Sequence, residues 1–160
     1  RLQVSWENRS TVRQEVCNKY TQYTMAYSDL TQGCYWDYLR VYVPAGTELL
    51  SSAGGDAPAE SLIEPDGQAF ATSVLVKPGE RREVVLEYLL PASIGAGGIY
   101  TLRVQKQAGT AGIPLEVTLL GSSLRPVPDT LAPSETSDGR LTYRTNLRVD
   151  CTIAVELPSR

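Results

Sequence analysis

A period of two near the end of the chain constrains its fold most. Leu141, Tyr143, Thr145, Leu147, Val149, Cys151, Ile153, Val155 and Leu157 fall on one register. Thr142, Arg144, Asn146, Arg148, Asp150, Thr152 and Glu156 fall on the other. Alternation of this kind gives a strand one apolar and one polar face. A single straight strand of that length would run roughly 55 Å at about 3.3 Å per residue, well beyond ordinary strands. The segment is therefore expected to bend or split near Asn146 or Asp150.

The same period recurs upstream. Leu2, Val4 and Trp6 share one face of a first strand. In residues 34–43, Leu39, Val41 and Val43 point one way, and Trp36, Tyr38, Arg40 and Tyr42 the other. The turn Pro44-Ala45-Gly46 closes that strand, and residues 47–50 continue as a short one. Further strands are expected over 70–76, 82–90 and 99–105, and around Leu115, Val117 and Leu119. Lys77-Pro78-Gly79-Glu80, Asp66-Gly67 and Asp138-Gly139 are turn signals. Residues 51–58 read as an exposed loop, and residues 121–139, with Pro126, Pro128 and Pro133, as a long loop or edge segment. No stretch has the period of a long amphipathic helix, and no internal repeat is evident. The fold class expected is an all-β antiparallel β-sandwich, immunoglobulin-like or jelly-roll, formed as one domain over residues 1–160.

Residues 11–33 are the exception. Tyr20, Tyr23 and Tyr27 keep a helical spacing, but threonines and a shortage of good helix formers weaken it. An irregular excursion packed on the sheet is expected, with at most one helical turn. Cys17 and Cys34 flank it. They read as a disulfide stapling the excursion to the strand that follows, against the alternative of two unrelated thiols. Cys151, on the apolar register, reads as a buried free thiol.

Composition narrows the function classes. The chain has 160 residues, a net charge of -3 and no histidine. Without a basic field, nucleic acid is not an expected partner. Without histidine, the usual Ser-His and Cys-His pairings are absent. The three cysteines lack the paired spacing of a zinc site, and no calcium-loop pattern occurs. No metal, cofactor or catalytic residue is expected. Asp56, Glu80, Glu83 and Glu87 have no spacing that would join them as acid and base. No apolar run is long enough to span a membrane. The chain opens on Arg1 and reads as an excised piece of a longer protein.

The candidate functional face is aromatic. Tyr20, Tyr23, Tyr27, Tyr35, Trp36, Tyr38 and Tyr42 crowd into one short region, with Arg40 among them. Such rings suit a protein interface or a polysaccharide surface. The structural reading is that the excursion covers them.

The run Tyr27-Ser28-Asp29-Leu30, followed by Gly33-Cys34-Tyr35-Trp36-Asp37-Tyr38-Leu39-Arg40-Val41-Tyr42-Val43-Pro44-Ala45-Gly46-Thr47-Glu48-Leu49-Leu50, resembles the C-terminal region of the bacterial domain-of-unknown-function family DUF 4012. The later Val76-Lys77-Pro78-Gly79-Glu80 and Leu86-Glu87-Tyr88-Leu89-Leu90-Pro91 are similar to it as well. The resemblance implies the exposed part of a membrane-anchored envelope protein, outside the cytoplasm. It also supports the Cys17–Cys34 bond. It carries no established activity. The partners expected of the aromatic face are a protein or a polysaccharide at the cell surface.

Overall fold

The computed structural model describes residues 1–12, 17, 26–27, 32–65 and 67–158. Among these residues the fold is nearly all β, in four antiparallel three-stranded sheets. The chain divides into two compact units, Arg1–Pro91 and Ala92–Arg160. The division falls where one sandwich over the full length was expected.

The first unit holds β1 (Leu2–Glu7), β2 (Tyr35–Val43), β3 (Glu48–Ala53), β4 (Glu60–Glu64), β5 (Gly67–Val76) and β6 (Arg81–Leu89). They form one sheet in the order β1-β6-β3 and another in the order β2-β5-β4. The inward registers meet in one apolar cluster. Val43, Phe70, Val74 and Val76 come from one sheet, and Val84 and Leu86 from the other. Phe70 and Tyr88 join the two layers, with ring centroids 5.8 Å apart. Burial of each such side chain contributes about 1.5–3 kcal/mol, so the alternation seen in the sequence is also what holds the layers together.

The second unit holds β7 (Ile99–Val104), β8 (Ile113–Leu120), β9 (Arg125–Pro126), β10 (Glu135–Ser137), β11 (Arg140–Leu147) and β12 (Cys151–Glu156). Its sheets run β7-β12-β9 and β10-β11-β8. Leu141, Tyr143, Ile153 and Val155 form its core, with Tyr100, Leu102, Val117 and Leu119 packed around them. Residues 121–139 thus contribute two short strands rather than loop alone. The long alternating run divides at 148–150, beside the expected break. Its halves, β11 and β12, belong to different sheets, and Val149 is exposed at the crossing rather than buried on the apolar register.

The two units share one strand order. In each, the first strand pairs with the sixth and the sixth with the third. The second pairs with the fifth and the fifth with the fourth. First and second strands lie in opposite sheets, whereas the immunoglobulin order places them in the same one. The pairing is nested, as in a jelly roll. Among the described residues the local hairpins are β4–β5 and β10–β11; Gly67 opens β5, and Asp138-Gly139 turns β10 into β11. Gly139 has φ +69°, a left-handed conformation that glycine adopts freely.

Nesting also brings each unit's entry and exit together. Leu2 faces Leu86 across the β1–β6 ladder. In the second unit the Leu157 amide donates to Gly98 O at 2.7 Å.

Candidate functional site

The outer face of the β2-β5-β4 sheet carries most of the aromatic residues that stood out in the sequence. Trp36 lies opposite Leu75, Tyr38 opposite Ser73, Arg40 opposite Ala71 and Tyr42 opposite Ala69. Glu60 and Leu62 flank the same two alanines from β4. Paired residues share a face, so this is one continuous surface.

The rings on it are not covered as expected. Trp36 is 40%, Tyr38 53% and Tyr42 67% exposed; Tyr27, which precedes β2 in the chain, is 80% exposed. Tyr20 and Tyr23 lie outside the described residues. Tyr35 stands on the opposite register at the end of β2. Its phenol is held above the usual tyrosine range, by burial first and then by the charge of Asp37.

Arg40 organises the centre of the face. Its guanidinium pairs with Glu64 on β4 and lies 5.2 Å from the centroid of the Tyr42 ring. Glu64 stands opposite Gly67, so the ion pair crosses the central strand. Only small side chains fit beneath such a strap. Ala69 and Ala71 lie there, 0% and 3% exposed although they face outward. The sequence reading missed Glu60, Glu64, Ala69 and Ala71. The alternating small residues Ala69, Ala71 and Ser73 were the available signal, since small outward residues on a central strand mark a covered or approached face.

The edge of β2 is tied to β1 from within. Trp6 Nε1 donates to Asp37 Oδ2 at 2.8 Å, and the Tyr38 amide donates to Asp37 Oδ1 at 2.9 Å. Nearby, the Asn8 side-chain amide donates to Gly33 O at 2.9 Å and Val76 O at 3.1 Å. Cys17 and Cys34 form the disulfide, with Cα atoms 5.8 Å apart. A cleft of about 790 Å³ lies beside these groups, lined by Trp6, Asn8, Ser10, Gln32, Gly33 and Tyr35 among others. Of the two charged groups at its wall, Glu7 is paired with Arg9.

The carboxylates weighed in the sequence are each engaged by a neighbour. Asp56 and Glu80 both approach Arg82, at 3.2 and 3.8 Å. Glu83 accepts from Gln3 and Ser5, and Glu87 from Ser51. Among the described residues no group of three or more metal-ligating side chains converges. Cys151 is free but half-buried rather than buried. Its thiol is pushed up by burial and then by the Asp150 charge.

The second unit provides an internal comparison. Its β8 occupies the position that β2 holds in the first, and its outward residues are Pro114, Glu116, Thr118 and Leu120. No ring stands there. Arg144 on β11 bonds Glu116 at 2.7 Å and Glu135 at 3.3 Å, and the Glu116 hydrogen bond leads in raising the guanidinium's pKa. Arg–Glu pairing on this sheet is thus common to both units, from the edge strand in the first and from the central strand in the second, while the rings belong to the first alone.

No family model, curated protein or solved structure matches this chain. Among the described residues no helix is long and apolar enough to cross a membrane.

Proposed function

We propose that this chain is a non-enzymatic, extracytoplasmic β-sandwich module of a bacterial cell-envelope protein, and that it makes protein contacts through the Trp36, Tyr38, Arg40 and Tyr42 face. The carrying observation is the comparison between units. One strand order supports both, yet only the first presents exposed rings on its second strand. The fold does not need them there, and exposed aromatic residues clustered around an arginine are the composition of contact surfaces. The disulfide favours an oxidising compartment. The resemblance of residues 33–50 to envelope proteins supports the same location. Adjacent entry and exit points favour contact over spacing, because a unit that returns the chain to its start adds little reach.

Carbohydrate binding is the second reading. It is favoured by the placement of ring faces and a hydrogen-bonding Arg40–Glu64 pair on one surface. Tryptophan emission titrated with cell-wall polysaccharides separates the two. The contact reading expects no saturable response. A saturable shift that disappears in Tyr38→Ala and Tyr42→Ala transfers the function to polysaccharide binding.

A further inference from the structure

The edge of β2, as distinct from its face, is unusual in this fold. An edge strand exposes unpaired amides and carbonyls, and proteins ordinarily blunt such edges with shortness, proline, lysine or a bulge. The other sheet edges here follow that rule. β4, β9 and β10 have five residues or fewer. The β3 ladder is interrupted at Leu50. β8 carries Pro114, and β1 and β7 have six residues each. β2 has nine residues with no proline or lysine, and its nine pairs with β5 run without a register shift. Among the described residues no strand pairs with its other side.

The strand is also complementary to itself. An antiparallel pairing of two copies about a two-fold axis must place one residue opposite its own image. Centred on Leu39, it pairs all nine residues. Tyr35 then meets Val43, Trp36 meets Tyr42, Asp37 meets Val41 and Tyr38 meets Arg40. Ring–ring and ring–guanidinium pairs fall on the outer face, each occurring twice, and no like charges face each other. Moving the centre to Arg40 sets two guanidinium groups opposite each other and drops two residues per strand. Moving it to Tyr38 drops as many. The inward charge that often guards an edge is already engaged, since the Asp37 carboxylate holds Trp6 Nε1. The Tyr38 amide would exchange its Asp37 partner for the carbonyl of the second copy.

We infer that the partner of this edge is a second copy of the chain, added β2 to β2 about Leu39. The two β2-β5-β4 sheets then become one sheet of six strands, with the rings of both copies on one side. The inference rests on the reading of this region as a contact surface and names its occupant.

Sedimentation velocity across a concentration series tests it, on the wild-type chain and two variants at half-exposed Tyr38. Tyr38→Lys places ammonium groups opposite both Arg40 side chains, and Tyr38→Glu places carboxylates there. Cross-strand pairs of ordinary strength, counted twice by symmetry, weaken the Tyr38→Lys dimer about tenfold. The Tyr38→Glu dimer holds, and the gap between the two variants narrows at high salt. A wild-type chain that stays monomeric overturns the pairing but leaves the contact reading standing, since the same rings can serve a different partner. A wild-type dimer that both variants weaken equally also overturns it, because loss of the ring rather than the facing charge would then be decisive. Unchanged far-ultraviolet circular dichroism in both variants guards against misfolding as the cause.

Discussion

Removing the Tyr143 hydroxyl should stabilise the second unit. Tyr143 points inward from β11 and is 1% exposed, among Leu141, Ile153 and Val155. Its hydroxyl is buried and has no hydrogen-bond partner. In the unfolded chain that hydroxyl is hydrated, so folding strips it without replacement. Such an orphan costs about 1–3 kcal/mol. Tyr143→Phe keeps the ring and its packing and removes the orphan, so a gain of about 1 kcal/mol is expected. In a unit of this size that corresponds to a rise of about 4–8 °C in melting temperature. Calorimetry measures the shift, and slower hydrogen exchange in β11 and β12 assigns it to the second unit. Tyr143→Ala, which removes the ring as well, should instead cost about 3–5 kcal/mol. The pH dependence gives a second readout. Burial raises the Tyr143 phenol above its ordinary 10.0. Below that pH the phenol is neutral in both states and adds no slope. As pH rises through 10 the unfolded phenol ionises while the folded one holds its proton, so stability is lost there. Tyr143→Phe should remove that part of the alkaline loss. A variant destabilised by about 1 kcal/mol or more would show that the hydroxyl is bonded in solution, and the reasoning would fail.

Three further outcomes are expected. Replacing both Cys17 and Cys34 by serine should destabilise the first unit by about 3 kcal/mol by the chain-entropy relation, given a separation of 17 residues, and a non-reducing peptide map of the native protein should find the pair joined and Cys151 free. Cys151 should alkylate slowly at neutral pH and faster as the medium turns alkaline, because burial and the Asp150 charge both oppose the thiolate; Asp150→Asn should speed the reaction, and an unchanged rate would remove the charge from the account. Gly54→Ala should destabilise the first unit by more than about 1 kcal/mol, since φ is +85° and the new Cβ would lie 1.8 Å from Glu83 O; a denaturant midpoint equal to wild type would refute it.

Local alternation made much of this fold legible. The expected strands over 34–43, 82–90 and 99–105 lie within a residue of β2, β6 and β7 at either end, because each buries one face and wets the other. The β4 strand was missed because Glu60 to Glu64 shows one partly buried outward leucine and a nearly fully exposed Ile63. Alternation fails for Ala69 to Thr72, which are buried on both faces. The cause is the Arg40–Glu64 strap, a contact between residues 24 positions apart that no local window contains. The shared strand order was hidden for a related reason. Alternation says which way a side chain points but not which strand it sits beside, and Leu2 finds its neighbour at Leu86. Exposure of the aromatic face was equally out of reach, since the same residues suit a covered layer or a bare one.

The nested order has a mechanical consequence. Pulling on Arg1 and Pro91 loads the first unit at the end of the ladder where Leu2 meets Leu86. The two strands there are antiparallel and their loaded ends are neighbours. Force therefore parts the cross-strand pairs one after another, from Leu2 towards Glu7, instead of shearing all of them together. The β7–β12 ladder of the second unit has the same arrangement, with Ile99 opposite Glu156. A chain tethered at both ends would yield at low tension by unzipping, first and last strands parting before the sheets beneath them.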